Sequence, residues 1–244
     1  MANFICVIID LTNHLRDTMQ DLQDFKNDIT LILSKDRLDT YDNLEQYKEN
    51  LKLISSITPK ISNLEIYLRN ALDYCLTQNK GSEWVFDENS LIPLIEELKD
   101  KKKEISHSLI LSKMSLGAVI KLIFFYKLEG LALDLRAYSL KAYYKDNKDT
   151  LLIKGRKQHL SNYTKAYIVL NLLWTIRNRA SHWENLLKLR ANNRPRITTR
   201  FIRELEKPTS KSFNFGIMPN KIVSFLDDLI KSIGNKDLEK LSSL

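Results

Sequence analysis

Apolar residues return at every third or fourth position along most of this chain of 244 residues. That spacing places them on one side of an α-helix, whereas a half-buried strand alternates apolar and polar residues. One such stripe runs through residues 13–33 and another through 43–57. The chain has only 6 glycines and 5 prolines, too few for the many turns of an all-β fold. We therefore predict an all-α protein, a single helical-bundle domain with a helical N-terminal extension.

Proline and capping signals set the predicted boundaries. Thr58-Pro59 predicts a break, because a residue before proline disfavours the helical conformation. We therefore assign residues 1–58 to the extension and 59–244 to the domain. Ser62, with Glu65 three residues later, has the spacing of a capping box and predicts a helix that ends before Gly81.

A further helix is predicted over 90–105, with Ser90 as its N-cap. Residues 115–145 are predicted to form one helix, or two that are separated at Gly130. Short helices are predicted over 219–232 and 235–243. The longest predicted helix begins at Ser161 or Asn162 and ends near Leu189. Residues 82–89 and 146–156 are predicted to be loops, because they are polar or lack the helical spacing.

The charge of the chain suggests a polyanionic partner. Lys and Arg number 38 against 30 Asp and Glu, a net charge of +8 with a sequence pI near 9.3. Nucleic acid and an anionic membrane surface both fit this charge, and so does an ordinary solvated surface. The most apolar stretch, residues 116–128, contains two lysines and is shorter than the ~20 residues of a membrane span. We expect a cytoplasmic protein with no membrane partner.

Metal and cofactor signatures are absent from the sequence. Cys6 and Cys75 are too few for a disulfide framework, and no Cys-x-x-Cys or His-Glu-x-x-His spacing occurs. The glycines are scattered singly, so no glycine-rich phosphate loop is present. We predict no metal and no cofactor.

One histidine has neighbours suited to phosphodiester chemistry. Asn178 and His182 are four residues apart, so they share one face of the predicted helix. Arg177 lies about 140° around the helix from His182, within reach of a flexible side chain. Imidazole can transfer a proton near neutral pH, and a guanidinium can stabilise the charge of a phosphoryl transition state. The alternative is an ordinary helix end whose polar residues face solvent.

The string RNRASHWENL, residues 177–186, resembles the Arg-x(4–6)-His signature of HEPN-domain ribonucleases. It is most similar to the Abi-like (abortive-infection) branch, in which Arg-Asn-x-x-x-His precedes a short polar run and Leu. Residues 64–73 resemble the Glu-x-x-x-Arg-Asn helix of the same family, and 81–84 and 114–117 are also similar to its pattern.

This resemblance implies that Arg177 and His182 form a catalytic pair oriented by Asn178. The implied reaction is metal-independent RNA cleavage, in which the ribose 2′-OH attacks the adjacent phosphate. The family also implies a homodimer and a role as a toxin in phage defence, silenced by an antitoxin that is a protein or a small RNA. Glu65, Arg69 and Asn70 would then support the motif helix. Alternatively, Glu65 and Arg69 form only an i,i+4 ion pair worth about 0.3–0.5 kcal/mol.

The residues around and after this motif are predicted to bind RNA. Basic residues are concentrated between Lys188 and Arg203, with no acid before Glu204. Trp183 is a candidate for stacking on a base, or else a core residue of a dimer interface. The predicted RNA-binding residues are Arg179, Trp183, Lys188, Arg190, Arg194, Arg196 and Arg200.

Two other functions remain open from the sequence. The chain could be a catalytically silent RNA-binding or sensor module, or a helical protein that binds a partner or a membrane surface. Steep salt dependence of binding would favour RNA over a hydrophobic protein interface.

Overall fold

The computed structural model describes residues 22, 24–101, 104–153, 156–204 and 210–242. The chain forms two compact units, Met1–Leu51 and Lys52–Leu244. Residues 13–21 and 23 of the helix predicted over 13–33 lie outside the described residues, as do Cys6 and residue 243 of the helix predicted over 235–243.

Among the described residues of the first unit, 24–27 are helical, and two short helices follow, α1 (Ile29–Ile32) and α2 (Lys35–Leu38). Asp28 is extended and caps α1, because its Oδ1 accepts a hydrogen bond from the Thr30 N–H at 2.8 Å. The prediction of one helix through residue 33 is therefore wrong at Asp28. An aspartate that bonds the backbone in this way favours a helix start over a helix interior.

The longest element, α3 (Leu44–Lys80), begins in the first unit and ends in the second. It continues through Pro59, so the predicted break at Thr58-Pro59 is wrong, and so is the predicted N-cap at Ser62. Seven buried residues form one stripe on both sides of the proline: Ile54, Ile57, Ile61, Leu64, Leu68, Leu72 and Leu76. Each contributes about 1.5–3 kcal/mol by burial, which together outweighs the ~3 kcal/mol of an interior proline. The helix ends before Gly81, as predicted, where φ is +93°.

The remaining helices of the second unit are α4 (Trp84–Asp87), α5 (Ile92–Asp100), α6 (His107–Lys113), α7 (Leu116–Phe125), α8 (Glu129–Ala132), α9 (Asn162–Ser181), α10 (Ile222–Lys231) and α11 (Lys236–Leu241). Short 3-10 helices span Asn89–Leu91, Leu140–Ala142 and Pro219–Lys221. Three predictions are corrected. Helix α4 lies in a predicted loop, Ser90 belongs to a 3-10 turn that Glu88 caps, and Gly130 lies inside α8.

Two antiparallel strand pairs correct the all-α prediction to a largely helical fold. Strands β1 (Thr150–Ile153) and β2 (Arg156–His159) form one pair, partly inside the predicted loop 146–156. Strands β3 (Ile197–Glu204) and β4 (Ser210–Ile217) form the other. Along β3, buried Ile197 and Phe201 alternate with Thr198 and exposed Arg200, so one face of this hairpin packs on the core and the other carries polar side chains.

Helix α9 is the central helix of the second unit. Its buried side chains occupy more than one face, including Ala166, Ile168, Val169, Leu170, Leu172, Leu173 and Ile176. The helix contacts α7, α8 and the β3–β4 hairpin. A helix packed on several sides is held firmly, and its C-terminal end carries the Arg-Asn-x-x-x-His motif.

Within the described residues, no single helix is long and apolar enough to cross a membrane. The pair α6 and α7 meets that test only when joined, and the two helices are bent by 108°.

Candidate functional site

The candidate site begins where α9 ends. The helix stops at Ser181, eight residues before the predicted end near Leu189, and His182 is its C-cap. Trp183 has a left-handed φ of +56°. Its N–H donates to the Ala180 carbonyl at 3.0 Å, and the Glu184 N–H donates to the Arg179 carbonyl at 2.9 Å. These two bonds form a Schellman motif, which closes the helix and turns the chain away from its axis.

Arg177 is held by a carboxylate from another helix. Its Nε donates to Glu65 Oε2 of α3 at 3.2 Å, while the other oxygen of Glu65 lies 3.6 Å from a terminal nitrogen of Arg69. Arg69 also donates to the Met114 carbonyl at 3.3 Å. The Glu65 side chain is only 16% exposed, so one shielded carboxylate lies between two guanidinium groups. This contact orients Arg177 from its Nε side.

His182 and Asn178 lie one turn apart, joined by a 3.1 Å bond from the His182 N–H to the Asn178 carbonyl. The His182 side chain is exposed and Asn178 is half-buried. Among the described residues, no hydrogen bond joins the side chains of Arg177, Asn178 and His182. The structure thus gathers the three residues at one helix end but does not bond them to one another.

Asn70 lies apart from this cluster. It is exposed and lines an apolar groove of about 1030 Å³, along with Ile66, Tyr74 and Leu131. Glu65 and Arg69 are one helical turn apart, whereas Asn70 is rotated by about 100° from Arg69. The predicted supporting set is therefore divided between two faces of α3.

Two of the predicted RNA-binding residues lie at the end of α9. Trp183 is 52% exposed, so within this chain it is not a core residue. A terminal nitrogen of Arg179 lies 3.2 Å from Glu184 Oε2, so its charge is already paired by a neighbour in sequence.

The next part of the basic segment forms a tight turn. The Asn193 N–H donates to the Arg190 carbonyl, and the Arg190 N–H donates to the Arg194 carbonyl, both at 2.9 Å. Asn193 has φ +58°, which asparagine tolerates better than most residues. The turn places Arg190 and Arg194 side by side.

Lys188, Arg196 and Arg200 take separate positions. Lys188 is exposed, Arg196 is half-buried, and Arg200 lies on the polar face of β3, where it donates to Ser212 Oγ at 3.0 Å. The predicted basic segment is thus partly a turn and partly a strand.

A pocket that the sequence interpretation missed lies beside this turn. It has a volume of about 860 Å³, and its lining includes Arg190, Arg194 and three lysines, Lys141, Lys145 and Lys148. None of Arg177, Asn178 and His182 lines it. The available signal was the string KAYYKDNK (141–148), in which lysines recur among tyrosines, but its distance in sequence from the motif concealed the connection.

Tyr144 also lines this pocket, and its hydroxyl donates to Asp146 Oδ2 at 2.5 Å. That hydrogen bond raises the pKa of Tyr144, and the nearby charge of Arg194 opposes the effect. Asp146, the carboxylate of the pocket, is therefore engaged by a tyrosine.

A second missed cluster joins three residues of the second unit. Asp73 Oδ1 lies 2.7 Å from His107 Nε2 and accepts a hydrogen bond from Trp84 Nε1 at 2.8 Å. Since Trp84 is buried, the aspartate satisfies an indole N–H that would otherwise be stranded in the core. We assign this cluster a structural role.

Comparisons with protein-family models, with curated proteins and with solved structures find no match for this chain. Among the described residues, no group of three or more His, Cys, Asp or Glu side chains is arranged to hold a metal ion. The function of the site must therefore be inferred from its own residues.

Proposed function

We propose that this protein is an endoribonuclease of the Abi-like HEPN kind, with Arg177 and His182 as its catalytic pair. The observation that carries the proposal is the anchoring of Arg177 by Glu65 at the same helix end as the exposed His182. An oriented guanidinium and an accessible imidazole are the two groups that the reaction needs. Their sequence spacing matches the family motif that residues 177–186 resemble.

In the proposed reaction, the ribose 2′-oxygen forms a bond to phosphorus as the bond from phosphorus to the 5′-oxygen breaks. The 2′-OH gives up its proton, and the departing 5′-oxygen gains one, with His182 in one of these two roles. Arg177 stabilises the extra negative charge on the phosphoryl oxygens. The products are a 2′,3′-cyclic phosphate and a 5′-OH, and DNA is inert because it lacks the nucleophile.

One histidine cannot take both roles at once, so the proposal includes a homodimer in which two motifs act together. Within the cell, such an enzyme would act as a toxin in antiviral defence and be silenced by a protein or RNA antitoxin. The catalytic groups need no cofactor in this scheme.

The experiment is cleavage of end-labelled total RNA in EDTA by the wild type, His182→Ala and Arg177→Ala. Cleavage by the wild type alone, leaving cyclic-phosphate ends, is the expected result. Equal cleavage by all three proteins would overturn the assignment of the pair. Salt-sensitive RNA binding without cleavage by any of them would instead favour the silent RNA-binding module.

A further inference from the structure

The pocket beside the 190–194 turn has an excess of positive charge. Five cationic side chains line it against the single carboxylate of Asp146, and the three lysines among them are exposed. Within the described part of the chain, these lysines form no ion pair or hydrogen bond. Like charges gathered around one concavity create a positive potential that favours an anion.

The walls of the pocket are held by polar contacts. Asn147 is buried, and its Nδ2 donates to the Gly216 carbonyl at 2.8 Å while its Oδ1 accepts from the Gly216 N–H at 2.9 Å. This paired bond ties the 141–148 loop to β4. On the opposite wall, a terminal nitrogen of Arg190 donates to Thr198 Oγ1 of β3 at 3.3 Å. Both basic walls are therefore held against the same hairpin.

Polar and aromatic groups complete the lining. Thr198, Ser212 and Asn214 lie on the polar face of the β3–β4 hairpin, and Tyr144 and Phe213 are half-buried at the pocket. A volume of about 860 Å³ falls within the usual range for small-ligand sites, roughly 300–1,000 Å³. Cations that follow a backbone, together with aromatic rings for bases, are the features that bind single-stranded nucleic acid.

We propose that this pocket binds the phosphodiester backbone of a single RNA strand, as a docking subsite separate from the catalytic residues. The inference rests on the proposed function, since the bound strand is the RNA to be cut. Arg190 and Arg194 connect the two sites. They come soon after the motif helix in sequence, and their side chains line the pocket. The lysines of the 141–148 loop contact the phosphates from the opposite wall of the pocket.

The test uses a fluorescein-labelled dodecamer of 2′-O-methyluridine, which has no free 2′-OH and so cannot be cut by the proposed reaction. Binding by fluorescence anisotropy is measured for the wild type, for the pocket double variant Lys145→Glu with Lys148→Glu, and for a control double variant of equal charge change. The control is Lys52→Glu with Lys236→Glu, two exposed lysines that do not line the pocket.

We expect the pocket variant to raise the Kd at least about tenfold and to flatten its salt dependence, because each lost phosphate contact removes ~0.7 from the log–log slope. The control variant should stay within about threefold of the wild type. Equal loss in both double variants, or no loss in either, would overturn the subsite. Displacement of the dodecamer by free UMP or ATP at matched phosphate concentration would assign the pocket to a free nucleotide. It would overturn the proposal that the pocket binds an RNA strand.

The binding assay separates this inference from the nuclease proposal. If the uncleavable strand binds through the pocket but RNA is never cut, the proposed subsite is supported and the proposed nuclease activity is wrong. If RNA is cut and the pocket variant binds and cuts as the wild type does, the nuclease stands and the subsite fails.

Discussion

The carboxylate of Glu65 accepts a hydrogen bond from Nε of Arg177 at 3.2 Å, across 112 residues of sequence. The contact joins the long helix α3 to the end of α9. A charge-assisted bond of this kind is stronger than a neutral one and restricts the guanidinium to a narrow range of orientations.

Replacing Glu65 by Gln tests whether this contact positions Arg177. The amide keeps the shape of the side chain but removes the charge between two guanidinium groups. We expect the free energy of unfolding to fall by about 1–3 kcal/mol. We also expect RNA cleavage to slow mainly through kcat, as single-turnover kinetics would measure.

Arg69→Ala is the matched control, because it removes the second guanidinium and leaves the bond from Glu65 to Arg177 intact. It should reduce stability while cleavage stays within a few-fold of the wild type. Unchanged kcat in Glu65→Gln would show that the carboxylate does not position Arg177.

Trp183→Gly separates helix closure from RNA binding. Trp183 has the left-handed conformation that favours glycine in a Schellman motif, so the variant relieves backbone strain. We expect a folded protein with a melting temperature close to that of the wild type. Loss of the exposed ring should weaken single-stranded RNA binding by about 1–3 kcal/mol if a base stacks there.

Trp183→Phe retains an aromatic ring and serves as the control for stacking. It should bind the labelled RNA nearly as well as the wild type does. Full affinity in Trp183→Gly would remove Trp183 from the set of RNA contacts.

Gly216→Ala tests the floor of the basic pocket. A Cβ at this position would lie 2.6 Å from Cγ of the buried Pro195, closer than atoms in van der Waals contact. We expect a loss of about 1–3 kcal/mol in unfolding free energy, measured by urea denaturation. Gly130→Ala is the control, since Gly130 lies within helix α8, where alanine is favoured, and its new Cβ would lie 3.7 Å from its nearest neighbour, Asn162 Nδ2. Equal stability of both variants would mean that Pro195 shifts to make room for the new Cβ without lowering the unfolding free energy.

The stability of the protein at low pH should depend on the hydrogen bond from Tyr126 to Glu88. Burial alone would raise the pKa of Glu88, but hydrogen bonds from Tyr126 and Ser90 and the charge of Lys80 outweigh it and lower the pKa below its ordinary 4.5. Because the folded pKa is lowered, ionised Glu88 stabilises the protein fully at pH values above its unfolded pKa. This stabilisation is lost as the pH falls through the folded pKa.

Tyr126→Phe removes the 2.5 Å bond to Glu88 Oε2, so the pKa of Glu88 should rise. We expect acid unfolding, followed by circular dichroism, to begin at a higher pH than in the wild type. Tyr74→Phe changes a tyrosine that is 69% exposed and should leave the acid transition in place. Identical acid transitions in all three proteins would contradict the role of the Tyr126 bond.

Local signals in the sequence predict the longer helices, although not all of their bounds. Periodic apolar residues predict most of α9 and the part of α3 before Pro59, because a stripe on one face needs only the local spacing of side chains. Arg177, Asn178 and His182 are candidates because they lie close together in one short string, and their predicted roles come from the family motif that this string resembles.

Packing between elements settles what local signals leave open. Pro59 stays inside α3 because burial on both sides outweighs its local cost, and the β3–β4 hairpin forms because its apolar face has a core to cover. The contact from Glu65 to Arg177 and the gathering of Lys145 with Arg194 in one pocket join residues far apart in sequence. Such contacts depend on how elements pack against one another, which the spacing of residues within one element does not specify.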